Sequence, residues 1–283
     1  MGAPRAEGAV GFFDSGLGGL CILDAFRRLC PRESTVYIAD SANCPYGNRP
    51  ADEIVRLARA NTEALLDRGC KMVVVACNTA TAAAIDVLRA EHPDVPFVGI
   101  EPAVKPAALN SRTGVVGVLA TAGTFNGRLY KETKAKFAKD VTVIATVADE
   151  FVEIVERLGS SRVGAGPSRV GIGSCRVGVG SSRVGVGSDG VETLSDAKLT
   201  LDDPNVVSVV KAKIEPLLKA GCDKIVLGCT HFPHLRPVIE SVCGGRAEVI
   251  DPSDAVARRA KSVLDGLGLL AGSDNPTHVF IRT

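Results

Sequence analysis

The chain has almost no excess of charge of either sign, with 33 Lys and Arg set against 32 Asp and Glu in 283 residues. So close a balance gives no global field for nucleic acid or an anionic membrane. Long hydrophobic runs are missing as well; none approaches the roughly 18 residues that span a bilayer. The opening MGAPRAEGAV is too short for a signal or transit peptide before the first apolar segment. Ala6 stands where a myristoylation signal on Gly2 would need Ser or Thr. No C-x-x-C pair occurs and the nine cysteines are odd in number, which fits neither a disulfide framework nor a zinc ribbon. Free thiols in a reducing cytosol are the expectation, and hence a cytoplasmic protein. The glycines of Asp14-Ser15-Gly16-Leu17-Gly18-Gly19 lack the G-x-G-x-x-G spacing, so no dinucleotide cofactor is inferred.

What is present is a pair of matching segments. Val73-Val74-Val75-Ala76-Cys77-Asn78-Thr79 is answered in the other half by Ile225-Val226-Leu227-Gly228-Cys229-Thr230-His231. Each begins as a short, β-branched run without alternation, the pattern of a strand buried on both faces of a parallel sheet. Each ends in small hydroxyl or amide residues, where the C-terminal edge of such a sheet opens into a ligand crevice. A cysteine there is ordinarily an apolar filler. Two, at equivalent points of similar halves, suggest a thiol on either side of one substrate, suited to moving a proton from one face of a carbon to the other.

Strand and helix signals alternate along the chain. Strands are expected at Val10–Phe13, Thr35–Ala39, the run before Cys77, Phe97–Ile100, Gly114–Ala120, Val141–Val147 and Ala247–Ile250, and helices at Cys21–Leu29, 51–68, Ala80–Ala90, Phe151–Glu156, 206–220 and Asp254–Leu264. The fold class is therefore α/β, built on parallel sheets. From Ser161 to Ser188 a seven-residue unit close to S-R-V-G-V-G-S repeats four times, with arginines at 162, 169, 176 and 183. Two glycines per unit exclude a stable coiled coil, and the segment reads as a flexible, basic surface insert that loops outward.

DSGLGGL, ADSANCPYGNRP, VVVACNTATA, GVLATAGT and VLGCTHFPHLRP, in this order, resemble the signature segments of glutamate racemases, within the cofactor-independent amino-acid racemase superfamily. The resemblance runs from about Gly11 to Ala260. It implies two similar α/β domains with the site in the cleft between them, a homodimer, and no pyridoxal phosphate, other cofactor or metal. The expected division is 1–102 plus 236–283 for the first domain and 103–235 for the second, interrupted by the insert at 160–190. By the same resemblance Cys77 and Cys229 are the catalytic thiols, assisted by Asp14, His231 and Glu156. Asp14, Ser15, Tyr46, Gly47, Asn78, Thr79, Thr121, Thr230 and His231 are the implied substrate-binding positions.

The chemistry gives these residue types reasons. A thiolate must take an α-proton on one face while a neutral thiol delivers one on the other. Free cysteine is mostly protonated at neutral pH, so the base needs an activating neighbour or a helix N-terminus. His231 suits Cys229 as a proton partner, and Asp14 suits Cys77 likewise. Hydroxyls, an amide and turn N–H groups suit two carboxylates and an ammonium. The expected function is interconversion of L- and D-glutamate, supplying D-glutamate for peptidoglycan. The alternatives are racemisation of aspartate or another amino acid, and a non-catalytic binding or inhibitor module. Glu156 has a competing role on a solvated helix face, and Asp14 as a helix cap. Cys21, Cys30, Cys44, Cys70, Cys175, Cys222 and Cys243 read as packing residues.

Overall fold

The computed structural model describes residues 7–163 and 199–283. Most of the seven-residue repeat, with Cys175, lies outside the described residues, as does the expectation that it loops outward.

The chain begins with β1 (Val10–Asp14), α1 (Leu20–Leu29), β2 (Thr35–Ala39), α2 (Ala51–Leu66), β3 (Met72–Val75), α3 (Asn78–Glu91) and β4 (Phe97–Gly99). It continues with α4 (Val104–Asn110), β5 (Val115–Ala120), α5 (Ala122–Asn126), α6 (Arg128–Phe137), β6 (Thr142–Val147) and α7 (Glu150–Val163). After the repeat come α8 (Pro204–Lys219), β7 (Lys224–Leu227), α9 (Arg236–Cys243), β8 (Glu248–Ile250), α10 (Ser253–Gly266) and β9 (His278–Arg282).

These strands form two sheets, ordered β4-β3-β1-β2-β9 and β6-β5-β7-β8, with every adjacent pair parallel. Strands β1, β2 and β3 are buried at every residue, which is why they read as unbroken apolar runs. One face of the first sheet packs Phe12 and Val74 against Phe26 of α1 and Leu264 of α10. The other packs Phe13 and Val75 against α2 and α3 through Leu57, Leu65, Ile85 and Leu88. In the second sheet Ile225 and Leu227 meet α7, α8 and α9 through Val155, Ile214 and Ile239, and Val118 and Val226 meet α4 and α6 through Ala107 and Tyr130.

The two sheets repeat one topology: β5 takes the place of β1, β7 of β3, β6 of β2 and β8 of β4. This corrects the expected domain boundary. Residues 236–250 belong to the second sheet, because β8 pairs with β7 (Ile225 opposite Val249) just as β4 pairs with β3. The chain returns to the first sheet only at α10, which packs on α1, and β9, which pairs with β2. Helix α7 also runs beyond the expected Phe151–Glu156, reaching Val163 and the first Ser-Arg-Val of the repeat.

Candidate functional site

Cys77 stands two residues past the end of β3 and Cys229 two residues past the end of β7. Since β3 and β7 hold equivalent places, the two thiols occupy equivalent places at the C-terminal sheet edges. Those edges face each other. Thr230 Oγ1 donates to Asp14 Oδ1 at 3.3 Å, Leu17 N donates to Glu156 Oε1 at 2.6 Å, and the Thr79 and Thr121 hydroxyls are 2.9 Å apart. Each of these bonds joins one lobe to the other.

The Cys77 side is built by a helix start. Its backbone is extended, it is the N-cap of α3, and its Sγ accepts from Ala80 N at 3.4 Å. Ser15 Oγ lies 3.8 Å from the same sulfur. Burial pushes the thiol pKa up and the Asp14 carboxylate pushes it further, outweighing the Ala80 N–H and the Ser15 hydroxyl, so this cysteine is held as a neutral thiol. Asp14 is fully buried at the end of β1, where its Oδ2 accepts from Gly19 N at 2.9 Å and caps the turn into α1. Burial raises its pKa, and the His231 charge and the Gly19 N–H pull it back.

The Cys229 side is built around an imidazole. Phe232–Leu235 forms a tight helical turn directly after His231, folding the ring back so that Nδ1 lies 3.8 Å from Cys229 Sγ. The turn thus brings together two residues that an extended strand would hold apart. Nε2 meets Glu156 Oε1 at 2.8 Å, from helix α7 of the same lobe. Burial alone would lower the His231 pKa, but Cys229, Cys44, Glu156 and Asp14 together raise it well above its usual value. Glu156 shifts the opposite way: burial works to raise it, and His231, Leu17 N and Arg282 win and lower it. The outcome is an imidazolium–carboxylate pair beside a buried cysteine.

The remaining expected residues line the same cleft. Ser15, Thr79, Thr121 and Thr230 are buried. Thr121 caps α5 through Thr124 N at 3.4 Å and touches the Thr124 hydroxyl at 3.0 Å. Asn78 is 2% exposed, and neither its amide oxygen nor its nitrogen has a hydrogen-bond partner among the described residues. A buried primary amide without partners is costly. Tyr46 differs from expectation in one respect: its hydroxyl is occupied, donating to Asp40 Oδ2 at 2.6 Å and accepting from Asn61 Nδ2 at 3.2 Å. Its role is to anchor the loop that carries Gly47 to the second lobe, where a Cβ on Gly47 would lie 3.1 Å from Thr121 Cβ.

Sequence reading passed over two features. Cys44 packs against the core of the second lobe as expected, and from the loop before Tyr46 it also reaches the His231 imidazole. Gly16 and Gly18 are more than a flexible turn. A Cβ on Gly16 would fall 2.1 Å from Glu156 Oε1, and one on Gly18 2.5 Å from His231 Nδ1. The glycines let the first lobe close on the His231–Glu156 pair, and their spacing in DSGLGGL was the only available signal.

The sequence model of the Asp/Glu/hydantoin racemase family matches residues 21–163 and 172–260. A glutamate racemase from Herpetosiphon aurantiacus is 41% identical over 261 residues, spanning 92% of this chain and 86% of that protein. The crystal structure of glutamate racemase isoform RacE1 from Bacillus anthracis superposes with a TM-score of 0.75 at 27% identity, covering 99% of this chain and 90% of that one. Escherichia coli glutamate racemase, solved with L-glutamate and the activator UDP-MurNAc-Ala, gives 0.70 at 30% identity, covering 93% and 83%. The chain therefore belongs to the Asp/Glu/hydantoin racemase family, in its glutamate racemase branch.

Proposed function

We propose that the cleft interconverts L- and D-glutamate by passing the α-proton between Cys77 and Cys229, with no cofactor. The product D-glutamate is a peptidoglycan precursor. The single observation that carries this reading is the equivalence of the two cysteines, each two residues past a matching strand of two sheets with one topology. The glutamate racemases that match across most of the chain supply the substrate.

The geometry supports a division of labour. Cys77 is held as a thiol, the form that delivers a proton. Cys229, on the opposite face and 3.8 Å from the His231 ring, takes the substrate's α-proton. The His231–Glu156 bond keeps the imidazole charged and in place. After one turnover the roles exchange, and the reverse reaction runs from there. Asn78 and the Thr79, Thr121 and Ser15 hydroxyls receive the two carboxylates, while Asp14 and Thr230 hold the ammonium. With those groups fixed, only the Cα–H remains free to move. The homodimer implied by the family resemblance, and a reducing compartment that keeps both thiols free, complete the reading.

The test is to incubate the purified protein with L-glutamate and, separately, with L-aspartate and to follow loss of optical activity. Racemisation of glutamate is expected. Racemisation of aspartate alone would move the substrate, and inertness toward both in a folded protein would overturn the reading.

A further inference from the structure

Among the described residues, one cluster brings together three different metal-ligating side chains. The Cys44 sulfur, a Glu156 carboxylate oxygen and a His231 ring nitrogen all lie within 4.8 Å of one another. They come from three separate segments: the loop after β2, helix α7 and the turn after β7. The proton transfer described above uses His231 and Glu156, and Cys44 enters it only through its contact with the imidazole. Cys44 is partly exposed and the Glu156 side chain is 16% exposed, so the cluster has a route to solvent.

The donor chemistry is selective. A thiolate with an imidazole and a carboxylate suits Zn2+ or Co2+, whereas Mg2+ and Ca2+ prefer oxygen alone. Ligands at about 2.0–2.3 Å from a tetrahedral ion stand roughly 3.2–3.8 Å apart; the cluster, all within 4.8 Å, reaches that spacing by small shifts, with the His231–Glu156 pair opening from 2.8 Å. Charge balances as well: thiolate and carboxylate neutralise a divalent cation, while Arg282, 3.8 Å from Glu156 Oε2, opposes it. On binding, the Cys44 thiol and the His231 imidazolium each release a proton to solvent, and the ion replaces the present His231–Glu156 hydrogen bond.

We propose that Cys44, Glu156 and His231 form an inhibitory site for a thiophilic divalent cation, spanning the two lobes at the Cys229 side of the cleft. Three protein ligands leave a fourth position open to water. With the ion on Nε2 the imidazole is neutral and keeps its one proton on Nδ1, facing Cys229 at 3.8 Å, so it can no longer accept a proton from that thiol. The binding stands on the cluster alone; the inhibition rests on the racemase reading.

The test is an equilibrium titration of the metal-free full chain with Co2+, followed by absorption spectroscopy, then by displacement with Zn2+. One Co2+ per chain, with a thiolate-to-cobalt charge-transfer band, is expected. Cys44→Ser should lose that band and weaken binding at least ~10-fold. In parallel, Zn2+ should inhibit glutamate racemisation by the parent, with recovery on adding a chelator. Cys44→Ser should turn over glutamate and need at least ~10-fold more Zn2+ for the same inhibition. An unchanged band and affinity in Cys44→Ser, or no stoichiometric Co2+ in the parent, would overturn the site. A Cys44-dependent band in a protein that does not racemise glutamate supports the site and removes only the enzymatic reading.

Discussion

At the scale of single residues, the cleft is organised by groups whose protonation or hydrogen bonding is left incomplete. Asn78 is the plainest case, with both amide atoms buried and unpartnered. If the amide serves a substrate carboxylate, Asn78→Ala removes a bond to a charged group, worth about 1.5–3 kcal/mol. The expected result is a fall in kcat/KM for glutamate of about tenfold or more, with no loss of thermal stability, because the free protein gains nothing from the amide. A lower Tm with unchanged kcat/KM would make Asn78 structural. Cys77, Cys229, Asp14 and His231 were visible in the sequence because each lies in or beside a strand-end motif. Cys44 was not. A lone cysteine in a Pro- and Gly-punctuated loop has no periodicity, and its nearness to His231 exists only after β2 and β7 are placed in facing lobes.

At the scale of elements, the buried strands were the most legible. Thr35–Ala39 was read to the residue, and β1 and β3 to within a residue or two, because strands buried on both faces leave an uninterrupted apolar record. Edge elements left less. β9 has only Phe280 and Ile281 half-buried, the rest being exposed, and went unread. β8 was read as a strand but given to the wrong lobe, since three residues carry no information about their partner. Helices α4 and α6, with few buried residues each, were also missed. The glycine turn between β1 and α1 acts as an element in its own right. Gly18→Ala would drive a Cβ to 2.5 Å from His231 Nδ1, displacing the ring from Cys229. If His231 serves the proposed proton transfer, a displacement of about 1 Å lowers kcat by about 10²-fold. Circular dichroism should show a native fold in the variant, and full activity would mean that the turn yields without moving the imidazole.

At the scale of the whole molecule, the repeated topology places the chemistry at one end of the sheets and leaves the other end to stability. Lys71, just before β3, pairs with Glu33 at 2.8 Å with both side chains buried. Lys71 Nζ also donates to Leu269 O at 2.7 Å, and Glu33 Oε1 accepts from Ala271 N at 2.6 Å, so the pair ties the segment after α10 to the first lobe. Lys71→Ala would leave a buried carboxylate uncompensated and destabilise the fold by about 3–5 kcal/mol. A lowered denaturant midpoint with unchanged activity per folded molecule is the expected result.

The cleft itself is tested most directly by α-proton exchange. D- and L-glutamate are each incubated with the protein in deuterated water, and Cα labelling and configuration are followed by NMR for the parent, Cys77→Ser and Cys229→Ser. Two thiols on opposite faces require deuterium to enter Cα with inversion in the parent, and racemisation to fall by about 10²–10⁴-fold in each folded variant. Racemisation that survives the loss of either thiol would contradict the two-thiol site.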